Sequence, residues 1–564
     1  MTDSISRRDF VRRSAGWTVL LCASPWGLRR SRAGDPPRDL QSPIDLAPVF
    51  GRTKKPGRLP FAEGFLGDSF ARPHAALVNR DALLAKLPGG KPPEPSEKVA
   101  VVVVGGGLAG LSSAWLLRDR KPVLLEQDPR LGGNSKGEQW RESVYALGGA
   151  YFIQPDEGDE LEALYREIGA MEGARKLEGH DPVEHHGKLY AKFFEGESAP
   201  EDAAAFETYA ARMKTHEEEY PEIPIPGEEE RELVTGLDRR SLKDVVTEWL
   251  GGKVPPALQA AIQNYCWSSL GAGWREISAA AGINFLAGEA FGVLAHPGGN
   301  AGLAVALHRK LKEAVGDASL RTGCIVFDVR ATETGVRVSY VDPEDRAHTV
   351  EAKAAVLACP KFAVKTILHG IEPERVKAIE KLQYRGYLVV NVLLDAPVEH
   401  DFYDLYLLRD GAIVETPTGE GKAPGRVTDV ILGNWARGAE RPRQSVLTLY
   451  WPLPFESGRA DVLLRKDSWE YLQPLAERQI LEILPLLGLK AESVIEVRMA
   501  RWGHALPVAR PNFIAEGHAE ALRRPHAGKV FFVNQDNWAL PAVETAFLEA
   551  IRFAPEVRAV ADAG

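Results

Sequence analysis

The 564-residue chain is poor in sulfur, with four cysteines and four methionines. Cys22, Cys266, Cys324 and Cys359 lie far apart and never at Cys-x-x-Cys spacing. This argues against a disulfide framework, a zinc knuckle and a c-type haem attachment site, and small buried thiols are the ordinary reading. Long apolar runs are also lacking. No stretch approaches the roughly 18–20 residues of a membrane span, so an integral membrane protein is not expected. Positive charge is not in excess: 69 Lys and Arg stand against 78 Asp and Glu, a formal net charge of −9. That balance disfavours nucleic acid as a partner, because phosphate contacts need clustered Lys and Arg. There is no internal repeat and no low-complexity tract. The one acidic run, Gly227–Glu232, reads as a solvated helix start, so no metal site is expected.

What is present is ordinary for a globular protein: 45% hydrophobic and 26% charged residues, over a length that exceeds one hydrophobic core and so calls for two or more domains. Basic residues gather at the start. Ser6-Arg7-Arg8-Asp9-Phe10-Val11-Arg12 reads as a twin-arginine export motif, followed by a weakly apolar stretch, Ala15–Leu28, and small residues for cleavage at Ser31-Arg32-Ala33. Residues 1–33 are therefore predicted to be a signal peptide, and the mature chain to be periplasmic or secreted. Without those residues, which hold seven Arg and two Asp, the charge falls from −9 to −14. This export route carries folded proteins, often already loaded with a cofactor. Residues 34–98 read as a linker and wrapping arm with a short helix near Asp81–Lys86.

The most informative stretch is Val99–Asn134. An apolar run, Val99–Val104, suits a buried parallel strand. Gly105, Gly107 and Gly110 follow at GxGxxG spacing, Leu108–Leu117 is apolar at helical period, and Val123–Leu125 is a second strand ending at Glu126. Strand, glycine loop, helix, strand and acid are the context of a dinucleotide site. Gly105 turns the chain off the strand. Gly107 leaves room for a pyrophosphate. Gly110 lets the helix pack closely. Leu108 and Ala109 open that helix, whose free N–H groups and positive dipole end face the pyrophosphate. Glu126 is placed to accept from ribose hydroxyls. Alone, this fingerprint does not choose between NAD and FAD.

Further motifs carry a family resemblance. Arg130-Leu131-Gly132-Gly133-Asn134 and Leu147-Gly148-Gly149-Ala150-Tyr151 follow the fingerprint. His296–Leu303 is a glycine-rich helix opening, and Arg321–Val329 a strand containing Val326. Gly528–Trp538 then leads into Pro541–Ala550. In this order they resemble the FAD-dependent amine oxidase superfamily. The resemblance implies a cofactor contact by Gly132, Gly133 and Asn134, with Asn134 standing where the family usually has Arg. It implies that the backbone at Gly149 and Ala150 passes the flavin ring and that Val326 meets the adenine. Asp536 is implied near the ribityl–phosphate region, with Val543 at the start of a helix aimed at the flavin. Tyr265–Gly271, Ile277–Ala279 and Arg501–Pro507 look like the bacterial spermidine-dehydrogenase-like branch.

The expected fold is α/β: a Rossmann-like FAD-binding domain assembled from discontinuous segments (99–155, 296–360 and 528–564), plus an α+β substrate domain (156–295 and 361–527). The implied function is FAD-dependent oxidation of a small-molecule amine, polyamine-like, by hydride transfer. Trp538, Trp502 and Tyr151 are candidate aromatic walls beside the flavin, and His504 a hydrogen-bonding partner of substrate or cofactor. The strand in Leu388–Leu394 lacks the Lys that many relatives place near the flavin, which favours an electron-acceptor protein or quinone over oxygen. No Cys follows Cys359, so FAD is expected to be non-covalent. A desaturase or porphyrinogen-type oxidase on a large apolar substrate shares the same cofactor motifs, as does a non-catalytic flavin-binding protein.

Overall fold

The computed structural model describes residues 53–54, 57–69, 71–177, 181–411, 425–438 and 442–563. The export motif and Cys22 lie outside them. Two large sheets organise the chain.

The first has seven strands. Its centre is Glu97–Val104, paired in parallel with Val123–Leu125 on one side and Ala347–Leu357 on the other. Leu320–Arg321 extends the first edge in parallel. Ile325–Ala331 and Val336–Val341 form an antiparallel meander with Ala347–Leu357, whose last residues pair with Val530–Phe532. The central strand is apolar on both faces because both are covered, as parallel sheets require. Val101 and Val103 pack under the helices Leu108–Leu116, Ala301–Val315 and Val543–Asp562. Val102 and Val104 face the opposite way, toward Val326, Val338 and Leu357.

The second sheet has nine strands. Its core is Tyr384–Leu394, buried along its whole length between Ser445–Pro452 and Val494–Pro507, both antiparallel to it. Helices Ala203–Glu218, Glu228–Asp238, Leu242–Trp249, Pro256–Leu270 and Ala279–Gly288 make a separate apolar layer. The chain is thus α/β, with a Rossmann-like unit drawn from separated stretches and an α+β remainder. No helix among the described residues is long and apolar enough to cross a membrane.

The arm before residue 98 is more than a linker. Phe61–Gly67 adds a parallel strand beside Val494–Pro507, with Thr53–Lys54 antiparallel outside it. Its anchor is apolar: Phe61 and Ala62 are buried against the second sheet. Ala71–Val78 and Arg80–Ala85 are helices.

Candidate active site

A cavity of about 490 Å³ opens where the two sheets meet. The fingerprint forms one wall. Gly105 has φ +110°, which a side chain rarely adopts, and there the chain leaves the strand. Gly107 is the extended residue before the helix, and among the described residues no side chain caps the N–H groups of Leu108 and Ala109. Those groups face the cavity, free for an anion. Glu126 is buried at the end of the second strand. It accepts from the Gly106 N–H at 2.5 Å and the Asp128 N–H at 2.7 Å. Loss of solvent raises its proton affinity, and the nearby Lys136 charge opposes that.

The expected cofactor residues gather here. Gly105, Gly107, Leu108, Ala109, Glu126, Gly132, Gly133, Asn134, Gly149, Ala150, Val326, Asp536 and Val543 all line the one cavity. Gly110 does not. A Cβ there would sit 1.8 Å from the Gly105 carbonyl oxygen, so its part is to let helix and loop touch. Asn134 ties the loop to the other sheet, donating to the Ala505 carbonyl at 3.1 Å. The cation the sequence pattern lacks at Asn134 is present two residues on. Lys136 is buried, lines the wall and pairs with Asp128 at 3.2 Å. Asp536 accepts from the Lys361 N–H at 2.9 Å and the Tyr384 hydroxyl at 2.5 Å. Uncapped N–H groups, a carboxylate at the strand end, a buried cation and a slot of this volume fit a flavin dinucleotide.

The second sheet clamps the segment expected beside the flavin ring. Trp502 donates its indole N–H to the Leu147 carbonyl at 2.6 Å, and Tyr403 its hydroxyl to the Ala150 carbonyl at 2.7 Å. Tyr450 donates to the Gly148 carbonyl. Trp502, Tyr151 and His504 line the cavity as expected of wall residues. His504 stacks on Phe362 with centroids 4.2 Å apart, and its Nε2 meets Arg459 at 2.5 Å. Burial, followed by the Arg459 charge, pushes its pKa down to about 3. It is neutral at working pH, and Arg459 occupies its acceptor nitrogen.

Trp538 is a correction. Its ring does not line the cavity. A buried indole N–H needs an acceptor, and this one finds Glu549 at 3.0 Å while Arg523 stacks over the ring at 4.3 Å. The chain turns at Trp538, and the side chain points into the helical layer.

Pattern reading missed the acids. Glu289, Asp404 and Asp429 line the cavity together with Tyr151, Tyr265, Tyr387, Tyr406 and Tyr450. Glu289 accepts from the Tyr265 hydroxyl at 2.7 Å and the Tyr151 hydroxyl at 3.3 Å. Asp429 accepts from Ser268 at 2.5 Å and Thr428 at 2.6 Å. Among the described residues none of the three has a Lys or Arg partner. Burial pushes Glu289 up to about 7. Burial also raises Asp404 and Asp429, and Asp404 further feels its acidic neighbours. No cluster among the described residues is built to hold a metal ion. The signal in the sequence was an acid standing alone in apolar company, as in Asp429-Val430-Ile431-Leu432.

Residues 108–458 match the family model described as flavin containing amine oxidoreductase. Oxidoreductase PigB of Serratia sp. (strain ATCC 39006) is 23% identical over 518 residues, spanning 81% of this chain and 75% of that protein. Among solved structures, a redesigned putrescine oxidase superposes with a TM-score of 0.61 at 17% identity, over 82% of this chain and 100% of that one. Cyclohexylamine oxidase from Brevibacterium oxydans IH-35A gives 0.58 at 16%, over 82% and 99%. These two likenesses are of fold.

Proposed function

Because the chain belongs to the family of flavin containing amine oxidoreductases, we propose that it is an FAD-dependent dehydrogenase of amines whose substrate carries a second positive charge, as polyamines do. The observation that carries this reading is the acidic wall, which has no Lys or Arg partner among the described residues. Glu289, Asp404 and Asp429 face the same cavity as the dinucleotide loop. Buried carboxylates without a cation are costly, and a bound ammonium relieves that cost. Five tyrosines around them offer ring faces to a cation and keep water out. A charged wall of this kind counts against a large apolar substrate.

FAD, when bound, supplies the two-electron acceptor for the hydride equivalent that leaves the carbon next to nitrogen. The chain supplies position and dryness. Asp404, Asp429 and Glu289 hold the distal ammonium. The reacting nitrogen lies among Tyr151, Trp502 and uncharged His504, where loss of solvent favours the neutral amine.

FAD is held without a covalent bond. Cys324 and Cys359 line the cavity, but burial pushes their thiols up to about 11 and about 12, so neither is a ready nucleophile. The strand Tyr384–Leu394 has no Lys, which supports an electron-acceptor protein or a quinone over oxygen. The twin-arginine motif supports export to the periplasm or beyond after cofactor loading.

The test is the absorption spectrum of the purified protein, followed by anaerobic addition of putrescine, spermidine, a monoamine and a carotenoid-like polyene. A yellow protein bleached by the di- and polyamines is expected. A colourless protein removes the FAD reading. A yellow protein that only the polyene bleaches removes the amine reading.

A further inference from the structure

The N-terminal arm has no motif in sequence, yet it lines the cavity and is fastened to both sheets. On the side of the nine-stranded sheet, Phe61–Gly67 pairs with Val494–Pro507. Asp68 then donates its N–H to the Arg501 carbonyl at 2.8 Å and accepts from the Gly503 N–H at 2.7 Å. On the side of the seven-stranded sheet, Arg72 donates to the Gly323 carbonyl at 2.7 Å and to Asp345 at 3.0 Å, and also reaches the Asp342 carbonyl. Arg80 reaches Asp328 on the strand Ile325–Ala331. Between these anchors Asp68, Ser69, Pro73, His74 and Leu77 line the cavity. Leu77 packs against the apolar cluster that holds Val326 and Leu125. Pro73, Leu77, Val326 and the Glu126 carboxylate line this one cavity, and apolar walls with a carboxylate have the chemistry of a nucleoside site.

We propose that residues 61–69 and 71–78 are a clasp: they complete the dinucleotide site over its adenosine end and set how fast FAD leaves. The inference rests on the FAD reading above and goes beyond it, because the residues come from outside every motif of the fingerprint. Arg72 and Arg80 do not line the cavity, so they act through the arm. A cofactor held without a covalent bond can leave only through an opening, and the arm lines the cavity between its two anchors. Loading must then precede closure, or closure must be transient.

The experiment follows FAD fluorescence after dilution of the holoenzyme into FAD-free buffer, for the wild type, the double variant Arg72→Ala/Arg80→Ala and a surface control, Arg166→Ala. Among the described residues Arg166 pairs only with Glu162, on its own helix. The clasp predicts release at least about tenfold faster in the double variant and unchanged release in the control, since loosened contacts act mainly on off-rates. Release within about twofold of wild type overturns it. If the double variant does not fold, hydrogen exchange of residues 61–69 and 71–78 in the wild type decides. Protection that rises when FAD is added to stripped protein supports the clasp, and unchanged protection overturns it. A protein that takes up no FAD overturns the FAD reading itself, whereas a yellow protein with unchanged release overturns the clasp alone.

Discussion

Asp429 shows most plainly how single residues set this site. One carboxylate oxygen accepts from both Ser268 and Thr428, and the residue faces the cavity with no basic partner among the described residues. Asp429→Asn keeps the shape and removes the charge. For a diamine, kcat/KM is expected to fall roughly 30-fold or more, about 2 kcal/mol, as when one member of a buried charge pair is removed. For a monoamine of the same length it should stay within about threefold, since that substrate brings no second charge to the wall. Equal losses for both, in steady-state assays, would place Asp429 outside substrate recognition. Glu289 adds a pH dependence. Its pKa rises from 4.5 to about 7 through loss of solvent. Between those values the folded protein holds a proton that the unfolded chain releases, so stability of the amine-free protein falls as pH rises through that window. A bound dication favours the ionised carboxylates and opposes the fall. The thermal shift caused by putrescine should therefore be larger at pH 7.5 than at pH 5, and Glu289→Gln should shrink the difference. A shift independent of pH would contradict this.

At the scale of elements, the unit Glu97–Leu125 is legible because several local rules agree. A valine run, three spaced glycines, an apolar helical period and a terminal acid all demand one arrangement. Gly110 tests it. A Cβ there would meet the Gly105 carbonyl oxygen at 1.8 Å. Gly110→Ala should destabilise by about 1–3 kcal/mol, the range of overpacking, and weaken FAD binding. Gly236, inside the helix Glu228–Asp238, has nothing within 4 Å of the same added atom. Gly236→Ala should stabilise the fold by about 0.5–1 kcal/mol, on helix propensity alone. Denaturant titration of the two variants separates a packing glycine from an incidental one. Elements set by distant partners were less legible. Phe61–Gly67 looks like loop in sequence because its pairing strand begins more than 400 residues later. Trp538 looked like a wall because it follows the Asp536 motif, but the nearby Glu549 and Arg523 turn it inward.

At the scale of the whole molecule, the sequence carried the cofactor half better than the substrate half, for a physical reason. Phosphate and ribose recognition is done by backbone, glycine and one acid, at fixed local spacing. The acidic wall is assembled from residues 289, 404 and 429, in three separate segments with no common period, and only folding brings them together. The proposed export belongs to this scale as well. Replacing Arg7 and Arg8 with Lys is expected to leave a flavin-loaded protein in the cytoplasm, measured by fractionation and absorbance. Unchanged export would assign residues 1–33 another part. The central claim is that one cavity pairs a flavin with a cation-binding wall. Its most direct measurement is the anaerobic rate of flavin reduction by putrescine against that by butylamine, which has the same carbon chain and lacks the second nitrogen. The account predicts reduction by both, with putrescine favoured in kcat/KM by at least about 30-fold. Equal rates, or reduction by neither, would contradict it.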